Sequence, residues 1–480
     1  MYDMMKNELN KTITENGDIT YKSTLNANLD FYGIGAALRH NSSSIIPLFD
    51  KAYKENRNIA LKNLFYLRDP RNGLGERELF RKALQHLIRS DKAVAKKLIP
   101  YIATYGRYDD LLVYLNTMLN DDVIEYIDSV IKDDLANLAE YKGVSLMGKW
   151  LPSINTSNKT KQMQGRHIAR CLNMSERNYR KMLSKLRKGR IIEENLCAKD
   201  YTFNYESIPS KAFRKYRAAF ERNDVERYNE FLKDVKVGNK ELHTSVLYPH
   251  EIIKEVLLSS DLNIEFAEEK WKKIVGKEYD SKTIVVRDGS GSMTWNNYLP
   301  ISIATALAML FAEKLNGSFH NRFITFSDNP ELVELKGSTL KEKVTEIFKY
   351  DDYTSTDISK VYNLILKVAS SKDFKKEDMI ERIVIISDME FNQGVKCEST
   401  YETFKRRFEA LGFKMPKVVY WNVCARNVHF ATKADPNIRF VAGASKNVID
   451  RVINDASINP VDFMMNTINR YSFIDEILCN

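Results

Sequence analysis

The sequence Val286-Arg287-Asp288-Gly289-Ser290-Gly291-Ser292-Met293 decides how the C-terminal half of the chain folds. It follows a β-branched run at residues 283–286, which predicts a short strand, and precedes an apolar stretch at 298–315, which predicts a helix. Asp288, Ser290 and Ser292 alternate, so a turn at the end of the strand can direct three oxygens at one point. Carboxylate and hydroxyl oxygens are hard ligands that suit Mg²⁺ or Mn²⁺, and the intervening glycines let the backbone approach closely. The motif therefore predicts a divalent cation site.

The sequence after this motif alternates between strand and helix patterns. It predicts strands at residues 322–326, 331–335, 382–386, 417–423 and 440–443, and helices at 358–368, at 401–411 and from Lys446. Such alternation implies a mostly parallel sheet covered by helices on both faces. A ligand is then expected at the carboxyl ends of the strands. Thr356 opens one of these helices and Asp388 ends one of these strands, so both are predicted to join Asp288, Ser290 and Ser292 as metal residues.

The order and spacing of these five residues resemble the metal-ion-dependent adhesion site (MIDAS) of von Willebrand factor A (vWA) domains, which have a Rossmann-like fold. The resemblance implies that the three turn residues and Thr356 ligate the cation, directly or through water, and that Asp388 acts through water. It also implies an open position for the acidic side chain of a protein partner. The sequence departs from the family at Met389, where glycine is usual, and at Glu390, which could reach the metal or repel an incoming carboxylate. A vWA fold that binds no metal is the alternative.

The chain from about residue 28 to residue 270 has apolar residues at helical spacing almost throughout, for example at Leu79, Leu84, Leu87 and Ile88. Short breakers separate segments of ten to twenty residues, which indicates many short helices in series, as in an α-solenoid. A strict repeat is missing, so a degenerate HEAT-like array fits better than a consensus one. Residues 1–27 are polar and predict an N-terminal arm that is either mobile or a partly ordered strap.

Several helical motifs resemble the TROVE domain of the Ro autoantigen family, namely Asp30-Phe31-Tyr32-Gly33 and residues 60–69 and 72–80. Residues 148–153, 179–187 and 208–212 are closer to a TROVE-like family with a C-terminal vWA domain, known mainly from plants, fungi, viruses and phages. The resemblance divides the chain into the arm (1–27), a TROVE-like helical-repeat domain (28–275) and a vWA domain (281–480). It implies a Ro-like ribonucleoprotein component that binds small structured RNAs and the single-stranded ends of misfolded RNA.

The distribution of charge indicates RNA independently of that resemblance. The 480-residue chain has a net charge of +9, but residues 149–240 hold 22 basic and 10 acidic residues, a net charge of +12, so the remainder carries −3. Lysine and arginine that follow phosphates, beside aromatic rings such as Phe213, Tyr216 and Phe220 that could stack on bases, suit single-stranded RNA. The alternative is a solvated helix face with the rings in the core. The pattern indicates no preference for DNA. The candidate RNA-binding residues are Arg166, Arg170, Arg177, Arg180, Lys181, Lys185, Arg187, Lys188, Arg214, Lys215 and Arg217.

Composition and the remaining motifs limit the other classes of function. No apolar run approaches the ~18 residues that a membrane span needs. Five scattered cysteines without a paired motif predict no disulfide framework and a cytoplasmic location. A recognisable nucleophile–base pair is missing, although Cys171 and His167 are spaced to share a helix face, so we expect a protein that is not an enzyme. The competing interpretation is a metal-dependent protein–protein scaffold that binds no RNA.

Overall fold

The structure is a computed structural model that describes residues 1–188, 191–240, 247–258, 261–351, 355–371, 373–395 and 398–479. Its first half is helical, apart from a short hairpin near the N-terminus. The helices of this half are α1 Tyr2–Asn10, α2 Ala27–Ile34, α3 Ile45–Glu55, α4 Arg57–Arg68, α5 Arg77–Ser90, α6 Lys92–Tyr105, α7 Asn120–Ala139, α8 Met147–Trp150, α9 Lys159–Cys171, α10 Glu176–Arg187, α11 Ile192–Cys197, α12 Ser210–Asn223, α13 Val225–Lys236, α14 Pro249–Leu258 and α15 Asp261–Val275. The hairpin consists of β1 Lys11–Ile13 and β2 Ile19–Tyr21.

The second half alternates strands and helices. Its strands are β3 Thr283–Asp288, β4 Arg322–Phe326, β5 Leu332–Glu334, β6 Arg382–Ser387, β7 Lys417–Asn422 and β8 Ile438–Ala442. Its helices are α16 Trp295–Glu313, α17 Leu340–Ile347, α18 Ile358–Ala369, α19 Thr400–Ala410, α20 Ile449–Ile453, α21 Pro460–Ile468 and α22 Phe473–Cys479. None of the helices in the described part of the chain is both long and apolar enough to cross a membrane.

The six strands of this half form one sheet in the order β5-β4-β3-β6-β7-β8. Every neighbouring pair is parallel except β4 and β5, which are antiparallel. Every residue of β3 and β6 is buried, as expected for central parallel strands that are covered on both faces. Because β3 and β6 are parallel neighbours, the residues that follow them, including Asp288 and Asp388, lie at the same edge of the sheet.

The layout that the sequence predicts, a helical region followed by an α/β region, is confirmed. The strands predicted at residues 322–326 and 417–423 match β4 and β7 to within one residue, whereas the last strand starts two residues earlier than predicted. The N-terminal arm is an ordered strap. Its strand β2 bridges to Phe430 through Tyr21, and Gly17 in the hairpin turn bridges to Asn392.

Packing divides the chain into two compact units. The sheet unit consists of Met1–Leu79 and Ser245–Ile474, and the helical unit consists of Phe80–Thr244 and Asp475–Asn480. Residues 1–79 thus pack with the sheet, although the sequence groups residues 28–79 with the helices that follow them. Gly33 on α2 illustrates why, since a Cβ atom there would lie 2.7 Å from Cβ of Phe440 on β8. Only a residue without a side chain allows α2 to lie this close to the sheet.

The helical unit is built from amphipathic helices, of which α10 is the clearest. Ser175 caps its N-terminus by accepting a hydrogen bond from the Asn178 backbone. The buried residues Tyr179, Met182, Leu183 and Leu186 recur at helical spacing. The residues between them are therefore left on the outer face of the helix.

Candidate functional site

The predicted metal residues lie at the carboxyl edge of the sheet in the sheet unit. Asp288 is the last residue of β3, and Ser290 and Ser292 follow it in a turn that continues into a short 3₁₀ helix. Asp388 comes directly after β6, and Thr356 lies two residues before α18. Parallel pairing of β3 with β6 is what brings the two aspartates, a hundred residues apart in sequence, to one edge.

Hydrogen bonds connect four of the five residues. Asp288 Oδ1 accepts from the Ser290 backbone N–H at 2.9 Å, and the Ser290 and Ser292 hydroxyl oxygens lie 3.0 Å apart. The Ser292 side chain in turn contacts Asp388. The turn and the strand end therefore present two carboxylates and two hydroxyls within one connected group.

Thr356 joins this group less directly. Its Oγ1 lies 3.0 Å from the carbonyl oxygen of Glu390 and 2.9 Å from Oδ1 of Asn392. The backbone N–H of Glu390 donates to Oδ1 of Asp388 at 3.2 Å, which links the threonine to the aspartate. The loop 388–392 thus connects both predicted residues.

The electrostatics of the two aspartates favour a bound positive charge. Burial, together with the nearby Asp288 carboxylate, raises the pKa of Asp388 to about 7, although Arg426 opposes this effect. Burial likewise raises the pKa of Asp288, against hydrogen bonds from Ser387 and Ser290. Two buried carboxylates that repel each other are the surroundings in which a cation is stabilising.

The donors present suit a hard divalent cation. Two carboxylates and three hydroxyls supply only oxygen ligands, which Mg²⁺ and Mn²⁺ prefer. Among the described residues no three His, Cys, Asp or Glu side chains group together as a metal site. Any cation held here would therefore depend on the serine and threonine hydroxyls and on water in addition to Asp288 and Asp388.

Three side chains at this edge were not identified from the sequence. Ser387, at the end of β6, donates to Asp288 Oδ2 at 2.5 Å. Arg426, in the loop after β7, lies with Nη2 3.2 Å from Asp388 Oδ2. Arg287, which precedes Asp288 on β3, pairs with Asp351. Because β7 neighbours β6, the residues after the β7 strand could have been predicted at this edge from the topology alone.

Glu390 is expected either to reach the metal or to repel an incoming carboxylate, and its side chain does neither among the described contacts. Its carboxylate is fully buried and accepts a hydrogen bond from the Glu15 backbone of the N-terminal arm at 2.8 Å. It also accepts from Asn427 at 3.1 Å and lies 3.0 Å from Nε2 of His429, both in the loop after β7. Although burial raises it, the hydrogen bond and charge of His429 hold the pKa of Glu390 below its usual range. Met389, at the position of the expected glycine, has a φ of 68°, the left-handed conformation that favours glycine. Glu390 therefore anchors the arm, with its acceptors directed to donors outside the predicted metal group.

The candidate RNA-binding residues of the helical unit divide into exposed residues without an ion pair and residues that contact other side chains or the backbone. Arg170 on α9, the α10 residues Arg177, Lys181 and Lys185, and Lys188 directly after α10 are exposed, and in the described part of the chain none of them forms an ion pair. Arg177, Lys181 and Lys185 follow one another at intervals of four residues, so they share a face of α10 opposite the buried one, and Lys188 follows at the C-terminal end of the helix. We call Arg177, Lys181, Lys185 and Lys188 the cationic face.

The remaining candidates have partners of their own. Arg166 pairs with Glu176 at 3.1 Å, and Arg217 with Glu221 at 2.7 Å. Arg180 is exposed and donates to the Glu176 carbonyl, and Lys215 lies over the Tyr216 ring. Arg214 lies on α12, but its side chain is outside the part of the structure that is described.

Arg187 differs from its neighbours because it is half-buried. Its guanidinium donates to the Gly148 carbonyl at 2.8 Å, the Leu151 carbonyl at 2.8 Å and the Ser153 hydroxyl at 2.7 Å. These three acceptors occupy the charged end of the side chain. Arg187 therefore holds the loop after α8 against α10 and is a structural residue of the helical unit.

The aromatic residues near the cations are mostly core. Phe213 and Phe220 are buried and pack with Tyr205, Tyr228 and Phe231. The interpretation of Phe213 and Phe220 as stacking platforms is therefore wrong, because their seven-residue spacing places both on the buried face of α12. Tyr216 is half-buried and donates to Glu193 at 2.9 Å.

Cys171 and His167 meet as their spacing predicts. Sγ of Cys171 lies 3.6 Å from His167 Nε2, and the same nitrogen lies 2.7 Å from Asn120 Oδ1. Both contacts fall on the same ring nitrogen, so the three side chains form one polar cluster on neighbouring helices.

Comparison with known proteins places the chain in a family. Residues 14–122 and 115–285 match the family model described as Domain of unknown function (DUF2828), and residues 282–470 match Domain of unknown function (DUF7788). An uncharacterized protein of Acanthamoeba polyphaga mimivirus, L728, is 29% identical over 510 residues, which cover 96% of this chain and 88% of the viral protein. The DUF2828 match spans more than half of the chain, so the chain belongs to the DUF2828 family.

Proposed function

We propose that this protein is a non-enzymatic RNA-binding protein of the Ro type, with a TROVE-like array of HEAT-like helices and a vWA-like module that holds one divalent cation. The observation that carries the proposal is the cationic face of α10. Three exposed cations lie there at helical spacing, opposite a buried apolar face, and the exposed Lys188 follows directly after the helix. Cations arranged in a row can neutralise several phosphates of an RNA backbone, and small or misfolded RNAs expose single strands that such a row could bind.

The proposal predicts that RNA affinity depends on salt and on this face. Binding of a single-stranded 20-nucleotide RNA is measured by filter binding from ~50 to ~200 mM KCl, and the affinity is expected to fall steeply across that range. The variant K181E/K185E/K188E should lower the affinity by at least about tenfold and reduce the salt slope by about two. Arg187 is left unchanged because of its structural bonds to the loop after α8.

A matched control reverses three charges elsewhere in the helical unit. Lys96, Lys132 and Lys142 are exposed lysines outside the cationic face, so K96E/K132E/K142E changes the net charge by the same amount. We expect this control to bind RNA within about threefold of the wild type, and this small loss reflects the lower net charge of the protein. Equal affinities for the two triple variants, or a flat salt series for the wild type, contradict the proposal.

The second part of the proposal is the cation. Asp288, Ser290, Ser292, Thr356 and Asp388 would hold Mg²⁺ or Mn²⁺, and the cation would leave a position open for the acidic side chain of a protein partner. Calorimetric titration of Mn²⁺ into the wild type and Asp288→Ala tests this, because the variant loses one of only two carboxylates. Equal heats for both proteins rule the site out.

A metal-dependent scaffold that binds protein partners without RNA is the second candidate. Arg426 favours it, since a guanidinium beside Asp388 gives the site an affinity for acidic groups as well as for cations. Nuclease-protected RNA in the purified protein supports the first candidate, and its absence together with Mn²⁺ binding supports the second. For either candidate we propose a cytoplasmic location, in which the cysteines Cys171, Cys197, Cys424 and Cys479, which form no disulfide in the described part of the chain, would stay reduced.

A further inference from the structure

The loop after β7 holds a carboxylate of the chain's own N-terminal arm beside the proposed cation site. Arg426 Nη1 lies 2.8 Å from Glu15 Oε2, and Nδ2 of Asn427 donates to Glu15 Oε1 at 2.9 Å. Both oxygens of the Glu15 carboxylate thus accept from donors of two adjacent residues. We call Arg426 and Asn427 the carboxylate cradle.

The carboxylate cradle and the cation site share one guanidinium. Nη2 of Arg426 lies 3.2 Å from Asp388, while Nη1 holds Glu15. Its third nitrogen, Nε, is buried and has no hydrogen-bond partner among the described residues. The cradle therefore lies directly beside the edge at which the cation site presents its aspartates.

The arm does not depend on the Glu15 carboxylate for its position. The Glu15 backbone donates to Glu390, the Asn16 side chain donates to the Glu390 carbonyl at 2.6 Å, and the Thr14 hydroxyl donates to the Phe391 carbonyl at 2.6 Å. The Glu15 side chain itself is 44% exposed. It can therefore leave the cradle by rotating into solvent while the arm stays docked.

The contrast with other arginines of the sheet unit indicates that this pairing is replaceable. Arg439 and Arg287 are 1% exposed and pair with the buried acids Asp455 and Asp351. Arg426 is 29% exposed; its pair with Asp388 includes a buried acid, but its pair with Glu15 includes an acid that is 44% exposed. Exposed pairs contribute little to stability, so exchanging Glu15 for another carboxylate costs the fold little.

We propose that Arg426 and Asn427 form a binding site for an acidic side chain of a protein partner, and that Glu15 is a tethered occupant which that side chain displaces. The inference rests on the proposed cation site, because the incoming carboxylate would lie between Arg426 and the cation. A tethered group acts at an effective concentration in the millimolar range. Glu15 would therefore outcompete carboxylates that bind weakly, and only a partner that makes additional contacts would displace it.

The test measures cation and carboxylate binding separately on the full chain. Electron paramagnetic resonance of free Mn²⁺ reports cation uptake, and the paramagnetic relaxation of N-acetylglutamate protons reports a carboxylate held near the bound Mn²⁺. Glu15→Ala vacates the cradle, whereas Glu8→Ala removes an exposed acid of the same arm that pairs with Lys11. Glu15→Gln, which keeps the size of the side chain, serves as a second variant, and thermal melting confirms that each protein folds.

We expect Glu15→Ala to bind Mn²⁺ and to raise the relaxation of ~1 mM N-acetylglutamate severalfold over the wild type, because the tethered competitor is gone. Glu15→Gln should raise it less, Glu8→Ala should match the wild type, and E15A/R426Q should return to the wild-type level. Mn²⁺ uptake with equal probe relaxation in the wild type and both Glu15 variants overturns this inference and leaves the cation site standing. No Mn²⁺ uptake by any variant overturns both.

Discussion

Replacing Arg287 by methionine is expected to destabilise the sheet unit by about 3–5 kcal/mol, the usual loss when one partner of a buried ion pair is removed. Arg287 is 1% exposed and its partner Asp351 is 6% exposed, with Nη2 2.5 Å from Oδ1. Nε and Nη2 of Arg287 also donate to the Thr305 hydroxyl at 2.9 and 2.8 Å. The substitution leaves the Asp351 carboxylate buried without its guanidinium. Because Arg287 precedes Asp288 and Asp351 precedes the Thr356 loop, Mn²⁺ affinity should fall as well.

Urea unfolding monitored by tryptophan fluorescence measures this loss, since three of the four tryptophans, Trp271, Trp295 and Trp421, lie in the sheet unit. A cycle with Asp351→Asn separates the pair from its surroundings. We expect the double variant to lose less than the sum of the two single losses by about 1–3 kcal/mol.

The control for this cycle is the surface pair of Arg322 with Glu334. Arg322→Met should cost less than about 1 kcal/mol, because solvent screens an exposed pair. A loss below about 1 kcal/mol for Arg287→Met, or single losses that add to within about 0.5 kcal/mol, would refute the reasoning.

Three further predictions concern particular side chains. Burial raises the pKa of Asp18 to about 7, so the folded state favours its protonated form. The free energy of unfolding is therefore expected to fall as pH rises from about 4 to about 7. Asp18→Asn should reduce that fall by up to about 4 kcal/mol, measured by thermal melts with EDTA. Phe220→Ala should cost about 3–5 kcal/mol, measured by circular dichroism, because the ring is fully buried among aromatic neighbours; an unchanged melting temperature contradicts this. Arg187→Lys should lower the melting temperature by losing the fork of donors, yet leave RNA affinity within about twofold because the charge is kept.

The fold was predictable from the sequence where burial is uniform. The central residues of β3, β6 and β7 are apolar because both faces of these strands are covered, so residue type and location agree there. The helices of the first half were predictable from their apolar spacing for the same reason. The hairpin of the arm was missed because β1 and β2 have only three residues each and owe their position to contacts with Phe430 and Asn392.

The candidate site was predictable only in part. Asp288, Ser290 and Ser292 lie in one turn, so their proximity follows from local sequence. Arg426 could not be paired with Glu15 from sequence, because the two lie at opposite ends of the chain and meet only through the docked arm. The hydrogen bonds of Arg187 could not be predicted, because its charge fits the pattern of its neighbours and its contacts with residues 148–153 depend on how α8 and α10 pack.

The most direct test of the central claim is ultraviolet crosslinking of the protein to RNA in cells, followed by immunoprecipitation and sequencing. The account predicts that the wild type recovers RNA enriched over a mock sample, that K181E/K185E/K188E loses most of it, and that K96E/K132E/K142E retains it. Recovery of RNA by the wild type at the mock level, or equal recovery by the two triple variants, would contradict RNA binding by the cationic face.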